Sequence, residues 1–446
     1  LSMSKKVFLK GTLILACTGL VSRIAGFFYR IFLSHAIGAE GLGLYQLILP
    51  LQGLMAALSY TGIQSALSRL IASRLALQEK KEAYFSLVTG IFAAVFFSAV
   101  TGFLLFRHAD FFASTILKAP GTSDFLRLTA ASIPLCAIHS CIDSYYYARK
   151  KASVPAAVQL SEQAVRIGAT YILYLIFLSE GRPVTAMIAA GGSLAGEAAA
   201  SLISLLMVSF HFGNHPVKEK TSVKIFPLIK DLFTLSFPIS LNRILLTLLG
   251  SIEAVLIPQM LIRCGMTSSE ALKIYGIFTG MALPLLLFPS TLTTSAAVML
   301  MPSVARMDAL GDQKQIRHVT DQTFFLCMFL GFLCGSGFFL FGPFLGTLLF
   351  HSKTAGTYIR YLSFICPFLY TNTMLASILQ GLGRPGRCLI HSAAGILIRI
   401  FSVVFMIPAI GIRGYFYGIF LGELLLSLLH VKALKFPYRQ AGDNRL

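Results

Sequence analysis

The chain has 446 residues, of which 56% are hydrophobic and only 12% are charged, and its formal net charge at pH 7 is +19. A mean hydropathy of +0.76 excludes an ordinary soluble domain, in which roughly 45–50% of the residues are apolar. The basic residues lie in short loops between apolar segments, so the positive charge indicates orientation in a membrane and not binding to nucleic acid.

The apolar segments are about twenty residues long or longer, which is the length that a helix needs to cross a ~30 Å hydrocarbon core. Strands of a membrane barrel would instead alternate over about ten residues. We therefore predict an all-α integral membrane protein with about twelve transmembrane helices. In chain order, the predicted spans lie near residues 9–36, 43–73, 84–106, 123–147, 155–178, 184–211, 229–262, 271–304, 319–349, 355–380, 387–409 and 412–435.

The first of these segments begins like a signal peptide, with basic residues followed by an apolar run. No cleavage site made of small residues follows, and the helical pattern continues through Arg30. We interpret it as the first span. The loops on one side of the membrane, such as those with Lys80, Lys150 and Arg384, contain most of the Lys and Arg residues. This side is predicted to be cytoplasmic, which places both termini inside a bacterial cell.

The two halves of the chain repeat one another. FLRLTAASIPL from Phe125 aligns with YIRYLSFICPF from Tyr358, AVRIG around Arg166 aligns with LIRIF around Arg399, and GEAAASL aligns with GELLLSL. The matches occur in the same order in both halves, and six spans in each half give both copies the same orientation. Transporters built from such parallel repeats hold their substrate between the halves.

This repetition predicts the domain organisation. Residues 1–211 and 229–436 are each expected to form a six-helix lobe. Residues 212–228 would form a cytoplasmic linker and residues 437–446 a cytoplasmic tail. Rocking of one lobe against the other would then give alternating access.

Arginines inside the predicted spans are the main candidates for a binding site. A charge near the centre of a bilayer costs roughly 2.5–3.5 kcal/mol even on mild insertion scales. Arg23 and Arg30 are seven positions apart and share one face of the first helix, and Arg243 lies in the first helix of the second half. None of the three has an acidic residue at helical spacing. We expect them to line a wet central cavity that binds a phosphate or pyrophosphate bidentately.

Acidic residues inside the spans have other interpretations. Glu162 and Arg166 have i,i+4 spacing and are predicted to form a structural ion pair. Glu197 and Glu423 occupy equivalent positions of the repeat and are expected to serve helix packing.

Two further carboxylates, Asp143 and Glu253, leave alternatives open. One is that either residue pairs with Arg23 or Arg30, which would leave the cavity neutral. The other is that they take part in ion coupling, with Glu253 binding a proton or a sodium ion.

Several kinds of chemistry have no counterpart in the sequence. No G-x-x-x-x-G-K-[ST] loop and no soluble domain for ATP occur, so transport is expected to use an ion gradient, the membrane potential or the gradient of the substrate. The histidines are scattered and no Cys/His pattern of ligand spacing is evident, which predicts no metal and no cofactor. The eight cysteines are expected to be reduced and structural.

Four runs of residues resemble a known family, the polysaccharide biosynthesis and stage V sporulation protein B family. They are IGAEGLGLYQLILPLQGLMAALSYTGIQSALSRLIA, SFPISLNRILLTLLGSIEAVLIPQML, YGIFTGMALPLLLFPSTLTTSAAVMLMPSVA and SILQGLGRPGR. The resemblance covers nearly the whole chain. That family belongs to the superfamily of multidrug, oligosaccharidyl-lipid and polysaccharide exporters (MOP), alongside the MviN/MurJ-type lipid II flippases. The resemblance therefore implies a MATE-like fold of two six-helix lobes.

The resemblance implies a flippase that moves undecaprenyl-pyrophosphate-linked sugars, such as the peptidoglycan precursor, from the inner to the outer leaflet. Lipid II flippases also have arginines on the first helix that face the cavity, and Arg23 and Arg30 match them. Many members of the family have fourteen spans, whereas twelve are predicted here.

We therefore expect a flippase for an anionic lipid-linked glycan that works as a monomer among membrane lipids, with a proton or sodium ion as the coupling ion. The alternative is a cation-coupled multidrug exporter of the same fold, which would need acidic residues in its cavity. A glycosyltransferase or polymerase would need a large outer loop with catalytic carboxylates, and the predicted outer loops are short and poor in acidic residues. An enzyme is therefore not expected.

Overall fold

The computed structural model describes residues 2–214 and 225–435. In these ranges the chain forms helices and no strand, and ten helical segments are long and apolar enough to cross a membrane. The prediction of a multi-pass, all-α membrane protein is therefore confirmed. The two predicted spans outside this set are nevertheless helices of 35 and 27 residues, at Ser2–Ala36 and Ser153–Ser179. The total of twelve spans stays a prediction.

The chain forms two compact units, Leu1–Met281 and Ala282–Leu446. The helices of the first unit are α1 (Ser2–Ala36), α2 (Gly38–Ser59), α3 (Thr61–Ala76), α4 (Lys80–Arg107), α5 (Ala109–Phe111), α6 (Ser123–Ala148), α7 (Ser153–Ser179), α8 (Met187–Asn214), α9 (Ile225–Arg263) and α10 (Ser268–Gly276). Those of the second unit are α11 (Leu283–Leu287), α12 (Ser290–Ala309), α13 (Gln313–Phe350), α14 (Lys353–Leu362), α15 (Cys366–Gly381), α16 (Pro385–Phe405), α17 (Ile407–Ile410) and α18 (Ile412–Lys435). The predicted boundary between lobes at the 212–228 link stays a prediction.

Some predicted spans are divided. The span predicted near 43–73 consists of α2 and α3, which meet at Tyr60, where φ is −125° and ψ is −20°. The span predicted near 271–304 contains a π-helical segment, Ile277–Ala282, and then α11. After α11, the amide of Phe288 donates to the Leu285 carbonyl, an i→i−3 hydrogen bond. The following residue, Pro289, has no amide hydrogen to donate.

Helix α9 packs against α2 and α3 along much of its length. Near its beginning, Asp231 accepts a hydrogen bond from Arg74 at the end of α3, at 3.0 Å. Farther along, the hydroxyl of Ser251 donates to the Pro50 carbonyl of α2, at 2.9 Å. Leu232 of α9 is buried in the hydrophobic cluster formed by α3, α4 and α6.

Beyond α9, helix α10 contacts α2 through bare backbone. A Cβ atom on Gly276 would overlap the carbonyl oxygen of Ala39, and one on Gly43 would overlap the backbone of Leu272. Only glycine fits at these two positions. Helix α2 and helix α3 are therefore joined to the α9–α10 segment near both of their outer ends.

The second unit is also held together by close approaches at glycine. In α13, Gly346 lies against Gly356 of α14, and Gly331 lies against Pro367 of α15. Small residues at these crossings let membrane helices pack backbone to backbone. The Tyr370 hydroxyl of α15 donates to the Leu286 carbonyl of α11, at 2.7 Å, which fixes α11 to the unit.

Candidate sites in the membrane helices

Arg23 and Arg30 lie beside the stripe of α1 that packs on α7. Within that stripe, the Tyr29 hydroxyl is 3.0 Å from the Thr170 hydroxyl oxygen, and Leu33 is fully buried. At about 100° per residue, the two arginines share a neighbouring face and not the stripe itself. Arg23 is exposed and Arg30 is partly buried.

Arg243 lies on α9 near the side that packs on α2. Thr247 is one turn later, about 40° around the helix, and its hydroxyl donates to the Arg243 carbonyl at 2.7 Å. A Cβ atom on Gly53 of α2 would be 3.5 Å from the Thr247 methyl group. The side chain of Arg243 is itself exposed.

The three arginines share one electrostatic property. In the part of the chain that the structure describes, neither Arg23, Arg30 nor Arg243 forms an ion pair with a carboxylate. Arg30 has Tyr45 of α2 within electrostatic reach. In the described ranges, therefore, no carboxylate contact neutralises any of the three guanidiniums.

The two acidic residues with open alternatives lie elsewhere in the first unit. Glu253 is buried on α9, with Tyr275 of α10 within electrostatic reach. Asp143 is on α6, where its carboxylate is 3.8 Å from Nδ1 of His139.

A buried cluster of charged side chains joins α6, α7 and α8, and we call it the first cluster: His139, Asp143, Glu162, Arg166 and Glu197. Arg166 pairs with Glu162 and lies 3.6 Å from Glu197. The Glu197 carboxylate is also 2.8 Å from Nε2 of His139. The side chains are only 10–22% exposed, so these charges interact in a medium of low polarity.

Glycines make this cluster possible. A Cβ atom on Gly196 would be 3.0 Å from the Glu162 carbonyl oxygen, and one on Gly192 would overlap the Thr170 hydroxyl. Helix α8 can therefore approach α7 closely enough for Glu197 to reach Arg166. The G-x-x-x-G spacing is a frequent solution for close contact between membrane helices.

The second unit contains an equivalent arrangement, which we call the second cluster: Asn372, Arg399, Glu423 and Ser427 on α15, α16 and α18. Arg399 is 3.5 Å from Glu423, and the Asn372 amide donates to the same carboxylate at 2.8 Å. Ser427 donates to the Asn372 amide oxygen at 2.6 Å.

Glycines again set the distance between helices. A Cβ atom on Gly422 would be 3.0 Å from the Gly395 carbonyl oxygen, and one on Gly418 would overlap the Ser402 hydroxyl. The two clusters are thus built by the same packing device at equivalent positions of the repeat.

The sequence analysis did not single out His139. Two signals could have found it. Its i,i+4 spacing to Asp143 places both on one face of α6, and the offset that aligns Arg127 with Arg360 also aligns His139 with Asn372. The histidine is thus the counterpart of the residue that binds the equivalent glutamate in the second cluster.

A metal was not expected, but one group of potential ligands needs comment. Cys136, His139 and Glu197 place one ligand atom each within 4.8 Å of one another. The His139 imidazole is already hydrogen-bonded to Glu197, and the Arg166 guanidinium shares that carboxylate. This geometry is that of an ion-pair network, and we do not treat it as a metal centre.

Comparison with known proteins relates the chain to a family. The family model for polysaccharide biosynthesis proteins matches residues 8–308. Stage V sporulation protein B of Bacillus subtilis (strain 168) is 30% identical over 440 residues, which cover 96% of this chain and 83% of that protein. Lipid II flippase MurJ of the same organism is 22% identical, covering 96% of this chain and 82% of that protein.

Solved structures share the fold. A lipid II flippase MurJ in an inward closed conformation has a TM-score of 0.72 and 13% identity, covering 95% of this chain and 88% of that one. An inward-facing multidrug resistance MATE family transporter of the MOP superfamily has a TM-score of 0.68 and 16% identity, covering 94% and 99%. The prediction of a MATE-like fold is confirmed. By its sequence, the chain belongs to the polysaccharide biosynthesis protein family.

Proposed function

We propose that this protein is a flippase that translocates an undecaprenyl-pyrophosphate-linked glycan across the bacterial cytoplasmic membrane by alternating access. The glycan is a lipid II-type peptidoglycan precursor or another polysaccharide unit. The observation that supports this most is the contrast among the arginines of the membrane helices. Arg166 and Arg399 contact carboxylates, whereas Arg23, Arg30 and Arg243 do so nowhere in the described ranges.

An anionic headgroup explains why such arginines are present. A guanidinium stays charged at all accessible pH values, so its charge in a membrane helix is unfavourable unless water or an anion accompanies it. A pyrophosphate offers several oxygens to the paired N–H groups of each arginine. The substrate would therefore supply the negative charge that balances these arginines.

The positions of the arginines suit alternating access. Arg23 and Arg30 are on the first helix of the first predicted lobe, and Arg243 is on the first helix of the second. A headgroup bound by both helices would remain bound while the lobes rock. The name of one relative, a lipid II flippase, supports the same class of substrate.

Genetic complementation tests the proposal. We would express the protein in a bacterium whose lipid II flippases are depleted and score growth rescue. Arg23→Ala, Arg30→Ala and Arg243→Ala should each reduce or abolish rescue, because the loss of a charge-assisted hydrogen bond of about 1.5–3 kcal/mol weakens binding roughly 10- to 150-fold.

Arg317→Ala is the matched control, because the Arg317 side chain is 88% exposed at the beginning of α13. All variants would be compared at equal amounts in the membrane fraction. Rescue by all three alanine variants would overturn the assignment of the site. Failure of the wild type to rescue, together with increased resistance to cationic dyes in a strain without efflux pumps, would instead favour the multidrug exporter.

A further inference from the structure

The two equivalent clusters differ in charge. In the second cluster, one guanidinium, Arg399, faces one carboxylate, Glu423. The first cluster contains one guanidinium and three carboxylates: Arg166 contacts Glu162 and Glu197, and Asp143 contacts His139. By the alignment of the repeat, Asp143 replaces Ala376 and Glu162 replaces Gly395. The additional acidic groups are thus confined to the first unit.

This excess of negative charge requires a cation. A positive His139 balances one carboxylate, and one negative charge still remains in the cluster. Uncompensated charge in the interior of a membrane protein is strongly unfavourable, and a carboxyl group there avoids it by taking up a proton. One additional proton would make the first cluster neutral, as the second cluster already is.

The geometry indicates which group takes the proton. Nε2 of His139 is 2.8 Å from Glu197, and its Nδ1 faces Asp143 at 3.8 Å, so an imidazolium can donate toward a carboxylate on each side. Glu162 and Glu197 both contact Arg166. Asp143 has the longest contact, and its Oδ1 atom and Nδ1 of His139 are buried without a hydrogen-bond partner in the described structure.

We propose that Asp143 is a proton-binding site: its carboxylate accepts one proton from water and releases it again, while His139 stays protonated between Asp143 and Glu197. In the loaded state the cluster is neutral. In the unloaded state it carries a net charge of −1, and the Asp143 carboxylate faces the His139 imidazolium.

Among the residues that the structure describes near the cluster, no further cation could balance the negative charge in place of a proton. The polar and titratable groups that face it lie on four helices and one helix junction. They are Cys136, Cys141 and Tyr147 of α6, Gln163 of α7, Tyr60 from the junction of α2 and α3, and, on the side of Arg166, Tyr45 of α2 and Tyr29 of α1. Tyr45 lies within electrostatic reach of both Arg30 and Arg166.

The cluster is linked to the helix that carries the proposed substrate arginines. The Thr170 hydroxyl donates to the Arg166 carbonyl at 2.8 Å, and its oxygen is 3.0 Å from the Tyr29 hydroxyl. Arg30 is the next residue after Tyr29. A change in the contacts of Arg166 on proton uptake therefore acts on α7 and, through one hydrogen bond, on α1. Only this coupling step rests on the proposed flippase function.

Infrared difference spectroscopy tests proton binding without any substrate. Purified protein in lipid vesicles would be exchanged between acidic and alkaline buffer, and the stretching band of protonated carboxyl groups would be recorded. We expect a reversible band in the wild type that is lost in Asp143→Asn. Asp143→Ala, which copies the equivalent Ala376, is the second variant, and Glu423→Gln in the second cluster is the matched control that should retain the band.

Three results would overturn the proposal: no titrating band in the wild type, a band that persists in both Asp143 variants, or a band that responds to sodium ions and not to pH. The coupling is tested separately by the growth rescue described above, which Asp143→Asn should reduce. A wild type that shows the Asp143 band but gives no rescue would contradict the flippase function and leave the proton site intact.

Discussion

The first and second clusters share their packing and differ in their chemistry. Each places a glycine directly before a buried glutamate, at Gly196 and at Gly422, and each brings that glutamate to an arginine on the neighbouring helix. The third partner is His139 in one cluster and an asparagine in the other. The comparison shows that the close helix contact and the titratable side chains can change independently within one repeated framework.

Among the substitutions that would sharpen this comparison, loss of a glutamate is expected to have the largest effect on stability. Glu423→Ala removes the carboxylate near Arg399 and the acceptor of the Asn372 amide, and removal of one partner of a buried ion pair costs about 3–5 kcal/mol. Glu197→Ala should cost less, because Arg166 keeps Glu162. The measurement is the temperature at which detergent-solubilised protein loses its monodisperse peak in size-exclusion chromatography. Equal losses for both variants would contradict the idea that the additional acid supports the first cluster.

A smaller effect is expected from the glycines that both clusters share. Gly192→Ala and Gly418→Ala insert a methyl group where a hydroxyl of the neighbouring helix already lies, and overpacking of this kind costs about 1–3 kcal/mol. The same thermal measurement would report it. Gly168→Ala on α7 is the control, since a Cβ atom there meets nothing within 4 Å. Full stability of Gly192→Ala and Gly418→Ala would show that the close contact is not required.

The smallest effect is expected when the first cluster is changed toward the second. His139→Asn keeps a donor toward Glu197 but gives up the imidazolium that faces Asp143 at 3.8 Å. At a pH low enough for the carboxylates to bind one more proton in its place, the substitution should cost about 0.5–1.5 kcal/mol, the order of one hydrogen bond. His318→Asn on the exposed beginning of α13 should change nothing. A loss as large as that of Glu423→Ala would mean that His139 cannot be replaced by the asparagine of its repeat partner.

Hydropathy and the internal repeat were sufficient to predict the helical membrane fold, because twenty-residue apolar runs have few alternatives in a bilayer. The breaks within spans were harder to predict. Helix α2 ends just before Tyr60, and neither of the residues beside Tyr60 is a proline or a glycine, so the local sequence gives little indication of this break. Pro289, by contrast, lies directly before α12, a position that its missing amide hydrogen favours and that the sequence alone would suggest.

The composition of the first cluster could be predicted only in part. Glu162 and Arg166 are four residues apart, and their contact follows from the helical period. The contact between His139 and Glu197 joins residues that are 58 positions apart, and it depends on how closely α8 approaches α6 and α7. The roles of Arg23, Arg30 and Arg243 at a substrate stay a prediction, for which complementation is the test.

The two connections between α9–α10 and α2–α3 differ in physical character. The connection at Arg74 is an ion pair with Asp231, whose side chains are 21% and 47% exposed, and Arg74 also contacts Glu79 and Glu82. Dissolved salt screens such charges, whereas it leaves the glycine backbone contact at Gly276 untouched. Raising the ionic strength should therefore loosen one end of this helix pair and not the other, so that salt alone would bias the direction in which the helices separate.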